Sequence, residues 1–123
     1  MSMKILIITG KLASSLVKKV SNQSKHEIHV HTMKTPIAAF LTPQKIIREI
    51  KCNVNILKSI DIIITPGLIR KNVSPIQDEI GIPTYKGPKD AADLPVVLEM
   101  IEKLDLSSQV PADKLIEDDE YKL

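Results

Sequence analysis

Two uninterrupted apolar, β-branched runs restrict this chain more than any other feature. Ile5-Leu6-Ile7-Ile8 ends in Thr9-Gly10, and Asp61-Ile62-Ile63-Ile64-Thr65 ends in Pro66-Gly67. A strand with one wet face alternates apolar and polar residues, so a run without alternation must be covered on both faces. That is the situation of a central strand in a parallel α/β sheet. After Lys11, residues Leu12, Leu16, Val17 and Val20 recur at helical spacing with Lys18 and Lys19 turned away, which predicts a helix ending near Asn22. His26 to Thr32 alternates, with Ile28 and Val30 on one face and Glu27, His29 and His31 on the other. This pattern predicts an edge strand with one more solvated face.

Beyond a loop from Met33 to Leu41 that contains Pro36, Thr42-Pro43 supplies an N-cap hydroxyl and a proline for the first helical position. Ile46, Ile47, Ile50 and Leu57 give that helix its apolar stripe, with an interruption near Cys52-Asn53. Ser74-Pro75-Ile76-Gln77 reads as a capping box opening a short helix, which Gly81 ends. Pro83 to Tyr85 is a short last strand. Leu94, Val97, Leu98, Ile101 and Leu104 form the stripe of a last helix, capped by Asp90 or Asp93, with Pro95 favouring Asp93 because proline is tolerated only in the first turn.

The expected fold is therefore α/β: a small open parallel sheet of about four strands, order 2-1-3-4, with helices on both faces. This is a Rossmann- or flavodoxin-like three-layer sandwich. Residues 3–106 make up the domain; 107–123, breaking the pattern at Ser107 to Pro111 and carrying Glu117-Asp118-Asp119-Glu120, reads as a linker and acidic tail. Met1-Ser2 reads as an addition ahead of a native start at Met3.

Composition removes several classes of function. A chain of 123 residues has the length of one domain. Its single cysteine, Cys52, makes neither an internal disulfide nor a thiolate metal cluster, and fits a cytoplasmic setting. No apolar run approaches the roughly 20 residues that cross a bilayer, so no membrane association is expected. The aromatics are only Phe40, Tyr85 and Tyr121, and the net charge is +2, which argues against nucleic-acid binding. That charge is unevenly spread: ten basic and two acidic side chains in residues 1–60, seven and thirteen in residues 61–123.

In open parallel sheets, ligands bind beyond the carboxyl ends of the strands, at the point where strand order reverses. Here that point brings Thr9-Gly10-Lys11 beside Thr65-Pro66-Gly67. With Ser14 in the next turn, the first of these offers backbone N–H groups, a helix N-terminus and an ammonium group, a set suited to an anion. Gly10 equally serves to turn strand into helix, and neither a P-loop nor a dinucleotide fingerprint is present. Lys34, Arg70 with Lys71, and Lys86-Gly87-Pro88-Lys89 fall in the other loops of the same edge, so a cationic rim is expected around a small anionic metabolite. The ligand-binding candidates are thus Thr9, Gly10, Lys11, Ser14, Lys34, Thr65, Gly67, Lys86, Gly87 and Lys89, with the Met33–Leu41 loop placed to close over them.

His29 and His31 have a chelating spacing, but zinc needs a third ligand and His26 faces the other way, so the pair reads as a polar sheet face. His31, near the strand end, alternatively lines the ligand site. Asp90 and Asp93 read as caps, and Glu49, Glu99 and Glu102 as solvated helix faces. No catalytic residue, metal ligand or cofactor motif emerges.

Thr9-Gly10-Lys11-Leu12-Ala13, Thr65-Pro66-Gly67-Leu68-Ile69, Lys86-Gly87-Pro88-Lys89-Asp90-Ala91-Ala92-Asp93 and Pro111-Ala112-Asp113-Lys114-Leu115-Ile116 together resemble the amino-terminal domain of dihydropteroate synthase-related proteins of methanogenic archaea. The resemblance runs from Met3 to about Asp118. It implies a parent protein tied to pterin or methanopterin biosynthesis, in which a (β/α)8 barrel follows this domain and carries the pterin-binding residues. None of those residues maps onto this chain. What the resemblance implies here is an accessory domain that binds an anionic ligand, gates the barrel or forms oligomer contacts, the structural alternative being a domain that docks on its barrel or pairs with a second copy.

Overall fold

Ile5, Leu6, Ile7 and Ile8 are all buried, as are Ile62, Ile63 and Ile64, and alternate members of each run point into different cores. The computed structural model describes residues 3–35, 37, 40–53, 57–101, 103 and 105–120, without the side chains of Asn53 and 117–120. Met1-Ser2, Pro36, Glu102, Leu104, Tyr121 and the side chains of the acidic row thus lie outside the described residues.

The strands are β1 (Lys4–Thr9), β2 (Glu27–Thr32), β3 (Ile62–Thr65) and β4 (Thr84–Lys86), all parallel, in the order β2-β1-β3-β4. The helices are α1 (Ser14–Ser21), α2 (Pro43–Asn53), α3 (Ser74–Ile80), α4 (Leu94–Met100) and α5 (Ala112–Glu120). Leu6, Ile8 and Ile63 pack under Ile46 and Ile50 of α2 and Ile76 of α3. Ile5, Ile7, Ile62 and Ile64 pack under Val17 and Val20 of α1 and Leu94 and Leu98 of α4. Three layers result, since the chain steps one way from β1 to β2 and back across β1 to reach β3, and right-handed crossovers put the two connections on opposite faces.

Several local expectations change. Leu12 precedes α1 and is 78% exposed, and Leu16 is exposed too, so α1 buries a narrower face built on Val17 and Val20. Thr42 caps α2 as expected, its hydroxyl accepting from the Lys45 N–H at 3.2 Å. The capping box at α3 does not form: Val73 is the N-cap, Asn72 accepts from the Ser74 N–H, and the Gln77 amide oxygen instead takes the N–H of Thr84 on β4. Asp93 is the N-cap residue of α4 with Pro95 in the first turn, as expected, but its side chain makes no capping bond; a 3-10 turn at Ala91–Asp93 precedes the helix, and Asp90 caps that turn by accepting from the Ala92 N–H.

Where the sequence reads a linker, the chain is tied to the sheet. The Ser107 carbonyl accepts from the Lys86 N–H at 2.8 Å, and the Ser108 carbonyl accepts from Val73. The Gly87 carbonyl accepts from Ala112, which is fully buried, and α5 follows. Ser107 thereby covers the outer edge of β4, which would otherwise present unpaired backbone groups. A composition scan misses this because the contacts are made by backbone atoms and one small residue.

The burial pattern separates two substitutions that the sequence alone treats alike. Ile63→Ala, in a strand closed on both sides, is expected to cost about 2–5 kcal/mol. Leu12→Ala should stay within about 0.5 kcal/mol. Urea denaturation of the two variants checks the contrast.

Candidate functional site

The carboxyl ends of β1 and β3 lie side by side as expected, and the loop after β3 meets the loop after β4 in close backbone contact. The Gly87 N–H donates to the Thr65 carbonyl at 2.7 Å, and the Gly67 N–H donates to the Pro88 carbonyl at 3.2 Å. A Cβ on Gly67 would stand 2.5 Å from the Gly87 carbonyl oxygen and 2.7 Å from the Lys89 nitrogen. One on Gly87 would stand 2.8 Å from the Ile64 side chain and 2.9 Å from the Thr65 carbonyl oxygen. These two glycines, expected to approach a ligand, approach each other's loops instead, and their N–H groups are already bonded.

The first turn is similarly occupied. The Lys11 N–H donates to the Thr35 carbonyl at 3.3 Å, the Thr9 hydroxyl bonds the Gly10 carbonyl, and the Ser14 hydroxyl shares a 2.7 Å hydrogen bond with that of Thr32. Thr9 and Thr65 both border a narrow cleft of about 80 Å³ at the switch point, lined also by Ile7, Ala13, Leu68 and Lys89. Its walls are chiefly aliphatic, so the place where the sequence predicts a phosphate cradle is an apolar slot.

The cations do not form one rim. Lys34 is exposed and borders a depression of about 330 Å³ with Lys45, Arg48, Glu49 and Cys52, on the β2–α2 side. Lys89 and Arg70 border a second, of about 410 Å³, with Gly67, Gln109 and Pro111, on the β4 side. Lys11 is exposed and lines neither.

Lys86 departs most from expectation. It belongs to β4 rather than to the loop after it, is only 3% exposed, and donates from Nζ to the Ile69 carbonyl at 2.6 Å. Because β4 extends one residue beyond Tyr85, strand alternation turns Lys86 inward, where the sequence reads a surface lysine. Burial lowers its pKa from the ordinary lysine value.

Two of the histidines, His29 and His31, are engaged with carboxylates, while buried His26 accepts from the Met3 N–H at 3.0 Å. His29 Nε2 lies 2.8 Å from Glu27, whose own pKa is held down by that hydrogen bond, and His31 Nε2 lies 3.1 Å from Glu49. Glu49 therefore joins α2 to the sheet instead of facing solvent. Among the described residues no three His, Cys, Asp or Glu side chains gather as a metal site, and no helix is long and apolar enough to cross a membrane.

Fold and edge together define a small Rossmann-like α/β domain with its loops gathered at the carboxyl end of a four-stranded parallel sheet. The chain belongs to a family of unknown function, DUF6513, whose model matches residues 3–89. It is also 42% identical over 116 residues to the uncharacterized protein MJ0107 of Methanocaldococcus jannaschii, a match covering 90% of this chain. The chain spans only 22% of that relative's length. No solved structure matches it.

Two consequences can be measured. Gly67→Ala forces backbone apart and is expected to destabilise the domain by about 1–3 kcal/mol or more, seen as a lowered denaturation midpoint. Lys86 binds its proton less tightly in the folded than in the unfolded chain, so the penalty for burying its charge is full at low pH and fades as pH rises toward 10.5. The stability of the unsubstituted domain relative to Lys86→Met should thus increase between neutral pH and about pH 10. A difference that does not vary with pH contradicts this.

Proposed function

We propose that this domain is an accessory, non-catalytic binding module of a longer, dihydropteroate synthase-related protein, and that the carboxyl edge of its sheet receives a small phosphate- or carboxylate-bearing metabolite of pterin or methanopterin metabolism. The observation that carries the reading is the open depression on the β4 side, where Arg70, Lys86 and Lys89 are the charged lining residues. Cations concentrated at a concave surface raise the local concentration of an anion. The parent assignment rests on the sequence motifs; the archaeal relative, much longer than this chain, accords with a domain of a larger protein.

A second reading has its own support. Leu12, Ile37, Phe40 and Leu68 are exposed, and all four lie in loops at the carboxyl edge. Apolar side chains gathered on one edge suit docking to the barrel of the parent chain, or to a second copy, with no ligand involved.

Calorimetric titration with inorganic phosphate, nucleotides and pterin phosphates separates the two. Saturable heat in the millimolar range or below is expected for the first reading, and its absence there overturns it. Light scattering then tests the second: a monomer with no affinity for the separately produced remainder of the parent protein removes it.

A further inference from the structure

We propose that the anion is a phosphomonoester, held at the β4-side depression by Lys86, Arg70 and Lys89, and not at the β1–α1 turn where α/β domains commonly bind phosphate. This rests on the reading that the carboxyl edge takes an anion, and it specifies where and by which groups.

The argument starts from Lys86. An ammonium group removed from water is costly unless its charge is compensated. Lys86 is nearly fully buried, yet among the described residues no carboxylate lies within ion-pair distance, and the partner of Nζ is the neutral Ile69 carbonyl. One of its three N–H donors is thereby used. A lysine needed only to fill this space would be replaceable by methionine at lower cost. The uncompensated charge borders the depression that Arg70, Lys89 and the Gln109 amide also line, and among the described residues no acidic side chain lines it. On its flank the Asp113 carboxylate accepts from the Lys89 backbone N–H at 3.2 Å.

Three cations against one flanking carboxylate favour a dianion over a monoanion. Arg70 adds a planar fork matched to two oxygens of a phosphoryl group, and Lys86 a fixed point charge. Most backbone donors of this lining are already spent: the Gly67 and Ile69 N–H groups bond Pro88 and Pro66, the Lys86 N–H bonds Ser107, and the Lys89 and Gln109 N–H groups bond Asp113 and the Ser107 hydroxyl. The anion is therefore held by side chains. At the β1–α1 turn, by contrast, the Lys11 N–H and the Ser14 hydroxyl are both taken, and the adjoining cleft is apolar.

The test is amide-resolved NMR titration of the 123-residue chain with inorganic phosphate and with methyl phosphate, at constant ionic strength, with acetate and chloride as comparators. Saturable shifts are expected at Gly67–Arg70, Lys86 and Gln109, larger with the phosphates than with acetate. Arg70→Gln, which removes the two-pronged charged contact, should weaken phosphate binding at least about tenfold, whereas Lys18→Gln on the remote face of α1 should leave it unchanged. Lys86→Met should abolish it with the thermal melt preserved; if that variant does not fold, the Arg70 and Lys18 pair still decides. Saturable shifts confined to Gly10–Ser14 or to Lys34 overturn this inference and leave the broader anion-binding reading standing. Shifts matched by acetate or chloride overturn the phosphomonoester assignment, and no shift at all overturns both.

Discussion

Covering β1 and β3 on both faces is the constraint on which the other features depend. Each buried isoleucine contributes roughly 1.5–3 kcal/mol through removal from water, and a pair of strands made of such residues is stable only between two helical layers. Helices α2 and α3 close one side, α1 and α4 the other. A parallel sheet built this way has every strand ending on the same edge, so the loops after all four strands converge there. The chain's chemistry has few other places to be.

That convergence also limits what the edge can do. Bringing the loop after β3 against the one after β4 takes two glycines and two backbone hydrogen bonds, at Gly67–Pro88 and Gly87–Thr65. In the β1–α1 turn the Lys11 N–H is spent on Thr35 and the Ser14 hydroxyl is bonded to that of Thr32. Backbone groups that elsewhere cradle phosphate here hold the loops together, leaving side chains to face a ligand: cations on two flanks and aliphatic groups between them. The segment from Ser107 to Ala112 completes the β4 flank by covering the strand's outer edge, and it carries Gln109 to the depression beside Lys86.

Much of this was legible from residues 5–8 and 62–64 alone. Their unbroken apolar character requires two-sided burial, and that requirement, with right-handed crossovers, yields the strand order, the layers and the switch point. The alternation at 27–32 likewise assigns β2 to an edge. These features depend on side-chain chemistry repeated along the chain, which a sequence displays directly.

What tertiary structure alone decided concerns single positions and pairs distant in sequence. One residue added to β4 converts Lys86 from a surface cation into a buried one, because strand periodicity reverses direction at every step. Whether a glycine meets a ligand or another loop depends on a backbone some twenty residues away. Ser107 seals a strand through a carbonyl that every residue type possesses, so no residue pattern marks it. Residue chemistry repeated along the chain dictates the architecture and the edge that carries the loops; which donors on that edge stay free depends on packing, since hydrogen bonding and burial are settled by neighbours in space.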